Sequence, residues 1–371
     1  MPTDPTLPRL SLQGQALSVV GRARIYVCGV TPYDVTHLGH AATFVWVDAA
    51  DRVLRRLGVA TEVCRNVTDV DDVLFDAAAR AGAHYDRFAA VQQFHFERDM
   101  DALSVRRPTH EPRAHTFIAP VIDLAVTLLA SGHAYESQGS VYLHGAPVAE
   151  AAGLDRSQAE QLLKDNGGRV DDAAKRDPLD QAVWQVSHDG EPAWPSPWGQ
   201  GRPGWHAECT AMALSTYGSS LDLHAGGADL RFPHHAYETA QAEAATGVTP
   251  FARAWMHVGT VQLKGEKMAK STGNLVFVSD LIAETSGATV RMLLLDRHYD
   301  QAWDHTAEGL DAAGTRLEAL HSAAGRPGSD ETAQRAVLHA LAQDLDVPTA
   351  LNTAIEQGGQ AARDLVQILA L

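Results

Sequence analysis

The sequence predicts an α/β chain: a parallel sheet, interrupted by an insertion and followed by a helical bundle. Three observations lead there. Short β-rich runs alternate with long apolar-periodic segments in the first hundred residues, the order that builds parallel sheets. A Gly- and Pro-rich stretch then breaks the pattern, which resumes at Trp205. Beyond Thr306, leucines and valines recur at helical spacing to the end of the sequence.

Taken in order, Arg24 to Val30 is a strand with a glycine near its end, Thr31 to Gly39 a polar loop, and Ala41 to Leu57 an amphipathic helix stopped by Gly58. Ala60 to Asn66 is a second strand. Its exit, Thr68-Asp-Val-Asp71, offers a threonine N-cap with a carboxylate three residues on. Parallel sheets bind ligands beyond the carboxyl ends of their strands, which points to Cys28–His40 and Asn66–Asp72. From about Ser131 to Gln200 the character changes, with Pro192, Pro195, Pro197 and Pro203 crowded together. A helix is expected from about Glu208 to Tyr217, a strand near Leu221–His224, a helix over Pro233–Thr246, and a strand over Trp255–Leu263 leading to a lysine-rich loop at 264–274. The expected divisions are 1–130 for the first half of the sheet, 131–200 for the insertion, 201–263 for the second half, 264–306 for the lysine-loop segment and 307–371 for the bundle.

Composition narrows the function. With 30 Lys plus Arg against 46 Asp plus Glu, the formal charge is −16, which disfavours a basic nucleic-acid module without excluding a local nucleotide pocket. Three cysteines, Cys28, Cys64 and Cys209, are too few for a disulfide framework. No window holds the about eighteen consecutive apolar residues of a membrane helix, and no charged-then-apolar leader opens the sequence. These features predict a cytoplasmic protein without a membrane partner.

Chemistry concentrates in a few places. His37-Leu-Gly-His40 opens a helix after a strand, where two imidazoles around Gly39 could meet a triphosphate at a helix N-terminus; alone, it is equally a surface loop. Lys267-Met-Ala-Lys270 could neutralise departing pyrophosphate, or be a solvated charge run. Together and in this order they are far more specific. Cys209, His224, His234, His235 and Glu238 have metal-ligand chemistry, with His234 and Glu238 on one helical face. Cys28 and Cys64 fit buried strand cysteines, His235 a supporting core histidine, and Asp69, Asp71 and Asp72 fit capping better than a magnesium site.

Six ordered stretches, Tyr26-Val-Cys-Gly29, His37-Leu-Gly-His40, Asn66-Val-Thr-Asp-Val-Asp-Asp72, Gly201-Arg-Pro-Gly-Trp-His-Ala-Glu-Cys209, Phe232-Pro-His-His235 and Lys267-Met-Ala-Lys-Ser271, resemble the cysteinyl-tRNA synthetase superfamily of class I adenylate-forming enzymes. Within it, Cys28 to Ala42, Lys175-Arg-Asp-Pro-Leu-Asp180 and Gly273-Asn-Leu-Val-Phe-Val-Ser279 are most similar to the mycothiol cysteine ligases, which join cysteine to glucosaminyl-inositol. The similarity runs from about residue 24 to 310 and more faintly beyond.

The resemblance implies a Rossmann-like class I synthetase catalytic domain with an insertion, plus a C-terminal helical bundle. It implies that Cys28, Cys209 and His234 hold Zn2+, with Glu238 matching a further ligand in the synthetases. Trp205 and His224 match the floor and wall of the amino-acid pocket, and Gly29, Thr31 and Thr68 its contacts to cysteine. Gly226, Gly227 and Asp229 match the nucleotide side, with His37, Gly39, His40, Lys267 and Lys270 binding ATP, which is used with Mg2+ as co-substrate. Ala236 and Ala269 depart from the usual acidic residue and serine. The reaction implied is formation of cysteinyl-adenylate, then attack by an amine, with His37, His40, Lys267 and Lys270 stabilising phosphate charge; Asp34, a histidine or no residue would serve as base. An amine-bearing small molecule is expected as acceptor and tRNA is not, because of the acidic charge and because about sixty residues after Asp311 leave room for about three helices and no anticodon domain. A monomer is expected. The alternatives are a synthetase paralogue charging tRNA, a carrier protein or another natural-product amine, and a cysteine-binding pseudoenzyme.

Overall fold

The computed structural model describes residues 8–33, 36–188, 190–268, 273–328 and 330–371. A short ribbon, β1 (Ser11–Leu12) with β2 (Gln15–Ala16), precedes β3 (Arg22–Val30), whose apolar residues are almost all buried. Helix α1 (Leu38–Arg56) begins three residues before the apolar run, because His37 caps it and accepts a hydrogen bond from the His40 amide. After β4 (Ala60–Val67) the helix α2 (Asp72–Arg80) is capped by Asp71 and not by Thr68. The Thr68 hydroxyl is engaged elsewhere, 2.6 Å from that of Thr31. Helix α3 (Tyr85–Ala102) and α4 (Ile118–Ala130) complete the first half.

The insertion packs around Val141, Leu163, Val183 and Trp184 in a core that also takes in Val121 and Leu128 of α4 and, from the returning chain, Ala207 and Tyr237. Its strands β5 (Ala134–Ser137), β6 (Ser140–Leu143), β7 (Gln181–Val186), β8 (Trp194–Ser196) and β9 (Gly199–Pro203) form an antiparallel sheet in the order β5-β6-β7-β9-β8, with α5 (Ala146–Ala151) and α6 (Arg156–Asp165) between β6 and β7. The proline cluster therefore holds a hairpin where a loop is expected. Pro195 sits on the edge strand, where a missing N–H costs no ladder bond.

The chain returns through α7 (Trp205–Tyr217), β10 (Leu223–Gly227), α8 (Ala236–Thr246) and β11 (Trp255–Val258). Helix α8 starts three residues later than the pattern predicts: Phe232 precedes a proline, is held extended (φ −140°, ψ 132°), and leaves Arg231–His235 as a kinked turn. Strands β11, β10, β3 and β4 lie side by side, all parallel. The expected final strand is split at Gly259, whose amide bonds to the Tyr299 carbonyl, so β12 (Val261–Leu263) joins a second small sheet with β13 (Glu266–Lys267) and β14 (Trp303–Asp304). Helices α9 (Val278–Glu284) and α10 (Gly287–Leu295) precede a bundle of α11 (Ala307–Gly325), α12 (Glu331–Ala342), α13 (Val347–Gln357) and α14 (Gly359–Leu369). Among the described residues, no helix is long and apolar enough to cross a membrane.

One buried cation ties the bundle to the sheet. Arg291 on α10 is fully buried and donates to the Leu369 carbonyl at 2.5 Å, to the Leu103 carbonyl at 3.0 Å and to Asp48 on α1. Breaking one side of a buried, hydrogen-bonded ion pair leaves the other charge unsatisfied. Arg291→Met should therefore lower unfolding free energy by about 3–5 kcal/mol. Urea denaturation measures it, and a loss below about 1 kcal/mol would show that the junction is held by apolar contacts alone.

Candidate active site

The carboxyl ends of β3, β4, β10 and β11 open into a cleft of about 1750 Å3, whose lining includes Cys28, His40, Thr68, Trp205, Asp229 and Lys267. At its deep end β3 supplies Cys28, α7 supplies Cys209, the kinked turn supplies His234 and α8 supplies Glu238. All four are buried, and their ligand atoms lie within 4.8 Å of one another. The His234 Nε2 is 2.6 Å from Glu238 Oε1, to which the Cys28 thiol donates at 3.2 Å. The other Glu238 oxygen is 2.7 Å from His224 Nε2. Asn66 donates to the Cys209 sulfur at 3.3 Å, and His206 Nδ1 is 2.8 Å from His234 Nδ1.

The electrostatics follow from this crowding. Burial pushes the Cys28 thiol well up. Burial opposes ionisation of Cys209 as well, but the Cys28 thiol and the His234 charge outweigh it and hold Cys209 below its ordinary value. For His234, burial is outweighed by Glu238 and Cys209, which raise it to about 10. Two sulfurs, an imidazole and a carboxylate, all buried, match the donor set and size of a tetrahedral zinc site, and a bound cation would displace the protons that now make the cluster compatible.

Around the cluster is an aromatic wall. Trp205 stacks on His234 at 4.2 Å, and His224 stacks on Trp255 at 4.5 Å. His235 bonds through Nδ1 to His257 Nε2 at 2.9 Å, so it supports the wall and takes no part in the group formed by Cys209 and His234. Together with Cys28 and His224, however, its ligand atoms form a second close group. His206, His257 and Tyr26, whose hydroxyl donates to the Cys209 carbonyl at 3.2 Å, are members to which sequence reasoning gave no role. His206 lies inside the quoted Gly201–Cys209 stretch, and His257 shares the inward face of β11 with Trp255, a period-two signal available in the sequence. Cys64 is buried on β4 and faces Thr216 at 4.0 Å.

Gly29 has a demonstrable steric reason: its amide donates to the Asn66 side chain at 2.8 Å, and a Cβ there would lie 1.7 Å from the Asn66 carbonyl oxygen. The same close approach brings Thr31 to Thr68. Gly39 lies against the His37 ring, with 3.0 Å for a Cβ; a Cβ on Gly226 would meet the His235 ring at 2.7 Å, and one on Gly227 the Asp229 carboxylate at 2.4 Å.

At the other end of the cleft the rings of His37 and His40 stack at 3.7 Å. Burial, with the Lys267 charge added, lowers His40 to about 4, so it faces the cleft as a neutral imidazole. Lys267 is bonded to Asp229 at 2.6 Å. Lys270, Ala269, Ser271 and Asp34 lie outside the described residues. The structure thus brings together His37 with His40 and Asp229 with Lys267 at the mouth, and Cys28, Cys209, His224, His234 and Glu238 at one floor, with Gly29, Thr31, Thr68 and Trp205 lining the same cleft.

Residues 16–315 match the family of tRNA synthetases class I (C), catalytic domain. The chain is 43% identical over 358 residues to the L-cysteine:1D-myo-inositol 2-amino-2-deoxy-alpha-D-glucopyranoside ligase of Rhodococcus erythropolis (strain PR4), covering 91% of this chain and 86% of the relative. It is 46% identical over 309 residues to the cysteine–tRNA ligase of Halorhodospira halophila, covering 82% and 66%. Among solved structures, Mycobacterium tuberculosis methionyl-tRNA synthetase in complex with methionyl-adenylate superposes with a TM-score of 0.61 at 17% identity, over 95% of this chain and 82% of that one, a likeness of fold. The cleft described above is therefore built on a shared framework, and the chain belongs to the class I (C) family of tRNA synthetase catalytic domains.

Proposed function

We propose that this protein is an ATP-dependent ligase that activates L-cysteine as cysteinyl-adenylate and transfers it to the amine of glucosaminyl-inositol. The observation that carries the reading is the buried Cys28, Cys209, His234 and Glu238 group, which opens on the same cleft as His37, His40 and Lys267. A thiol-binding floor and a phosphate-binding mouth in one cleft select cysteine and activate its carboxylate. The acceptor rests on the ligase relatives, with the formal charge of −16 supporting a small amine over tRNA. A cytoplasmic location agrees with both.

In the activation step the cysteine carboxylate attacks the α-phosphate of ATP. Neutral His40 and its partner His37 donate N–H bonds to phosphate oxygens, and Lys267 balances the charge that develops as pyrophosphate separates. Asp229 holds Lys267 in register. Zinc held by Cys28, Cys209 and His234, with Glu238 as a further donor, would favour a thiol as its thiolate and so prefer cysteine to serine. Trp205 and His224 close the pocket around the side chain, while Thr31 and Thr68 lie beside Gly29 where the amino acid's polar end fits. In the second step the acceptor nitrogen attacks the activated carbonyl and AMP leaves, with no covalent enzyme intermediate.

Incubation with cysteine, ATP and either glucosaminyl-inositol or tRNA should give AMP and the cysteinyl amide, detected by mass spectrometry, and no charged tRNA. Robust cysteinyl-tRNA formation that weakens with salt would reverse the assignment of the acceptor.

A further inference from the structure

The stretch Lys175-Arg-Asp-Pro-Leu-Asp180 has no part in the chemistry described so far, and its later polar side chains are all committed inside the insertion. Asp180 accepts from the Tyr135 hydroxyl at 2.6 Å, the Gly145 amide at 2.8 Å and the Asp177 amide at 3.1 Å. Asp177 pairs with Arg156 at 2.9 Å, and the Arg176 guanidinium lies 4.1 Å from the centre of the Tyr135 ring. These contacts pin a turn whose entry, Lys175, lines the cleft. The Lys175 ammonium donates to the Arg169 carbonyl at 2.5 Å, which uses one of its three N–H groups. The carboxylates that act on it are already engaged: Asp180 as above, and Asp172 by the Tyr142 hydroxyl at 2.8 Å and the Ala174 amide at 2.9 Å.

The size and lining of the cleft are a second observation. One ligand of drug size fills about 300–1,000 Å3, whereas this cleft holds about 1750 Å3 and continues from the cysteine pocket along the insertion. The insertion turns a polar face to it: in β6, Val141 and Leu143 enter the core while Ser140 and Tyr142 line the cleft, and in β7 Gln185 lines it too. Along the same stretch three cations, Lys164, Arg169 and Lys175, stand against three carboxylates, Asp165, Asp171 and Asp172. Charges so balanced give no net field for a polyphosphate backbone. Ammonium, amide and carboxylate together suit hydroxyl groups, which both donate and accept.

We infer that this part of the cleft is a polyol subsite, in which Lys175 and Gln185 bind the inositol hydroxyls of the acceptor while its amine reaches the cysteinyl carbonyl. The inference deepens the acceptor reading and rests on it. Lys175 donates to hydroxyl oxygens, and the Gln185 amide can donate and accept. Neither takes part in bond making, so the subsite acts on affinity and on the choice of amine.

Lys175→Met keeps the length of the side chain and removes the ammonium. Amide formation from preformed cysteinyl-adenylate is measured with glucosaminyl-inositol and with glucosamine, which lacks the inositol ring. The wild type should favour glucosaminyl-inositol in kcat/KM by more than about tenfold. The variant should raise KM for glucosaminyl-inositol roughly tenfold at little-changed kcat, the effect of losing one hydrogen bond from a charged donor, and should leave glucosamine within about threefold. Gln185→Ala, on the sheet face, should move the same KM in the same direction. Cysteine-dependent ATP–pyrophosphate exchange, which also reports that each variant is folded, should stay within about threefold of wild type. Equal use of the two amines by the wild type, or equal loss on both in the variants, would overturn the inositol subsite. So would an unchanged KM in either variant, and a parallel fall in exchange would assign Lys175 to cysteine or ATP instead. If the wild type forms the adenylate but an amide with neither amine, the acceptor reading itself fails, an outcome read without the variants.

Discussion

Cys209→Ser protein is expected to contain far less zinc than the wild type and to prefer cysteine over serine by only the roughly ten- to two-hundredfold that pocket shape supplies. The reasoning starts from the substrates, which differ by one atom. Steric fit discriminates such near-isosteres weakly, whereas a thiol-selective metal responds to sulfur chemistry. The four donors in this cluster come from four separate elements, so each is positioned by the fold. Serine at position 209 keeps the size but weakens the donor, and the Asn66 amide that now bonds to sulfur can bond to the hydroxyl, which protects folding. Metal analysis and the cysteine-to-serine ratio in pyrophosphate exchange are the measurements. Undiminished rejection of serine by a zinc-free variant would make the cluster structural and leave selectivity to Trp205, His224 and their neighbours.

The site was legible where one side chain carries one chemistry at a marked backbone position. The strand-loop-helix around His37-Leu-Gly-His40 and the β-α-β order could be read locally, because periodicity and glycine placement are properties of consecutive residues. Cys28 alone resembles an ordinary strand cysteine; its place beside Cys209 and Glu238 emerges only when β3 pairs with β10, elements far apart in the sequence. Thr68 illustrates the converse. Its sequence context is that of a helix cap, but the close approach of Gly29 to Asn66 delivers Thr31 to its hydroxyl, and the capping passes to Asp71. The prolines before Pro203 predict a loop because an edge strand and a loop are alike in lacking one row of ladder bonds. His206 carries no signal of its own in a helix until its partner His234 is in view, whereas His257 could be placed beside Trp255 by the period of the strand but not assigned a partner before His235 packs against it. In the bundle, the spacing foresaw helices but not their number: α11 to α14 pack closely through short turns that periodicity alone does not punctuate.

At the phosphate end, Lys267→Ala is expected to slow cysteine-dependent pyrophosphate exchange by roughly 10²–10³-fold, the effect of removing one preorganised partner of developing charge. Cysteine affinity should hardly move, because Lys267 is bonded to Asp229 and is not among the residues of the thiol floor. The Asp229 contact at 2.6 Å makes the effect specific: it fixes an otherwise exposed ammonium over the mouth, so the substitution also leaves an uncompensated carboxylate facing the phosphates. The neighbouring imidazole sets the pH test. His40 sits near 4, below its ordinary 6.5, mainly by burial and secondarily through Lys267. Its neutral form is therefore favoured by folding, so the stability it contributes is complete above pH 6.5 and is lost as pH falls toward 4. Between pH 6 and 8 His40 does not titrate, and exchange in the wild type should show no step assignable to it. In Lys267→Ala the smaller of the two causes disappears and the His40 value should rise, while burial still holds it below 6.5. Nuclear magnetic resonance titration of the His40 ring, followed in both proteins alongside the exchange rate, measures the shift and the catalytic loss together. An unaltered His40 titration with an unaltered exchange rate would remove Lys267 from the mouth of the site and with it the charge-balancing role assigned to the segment.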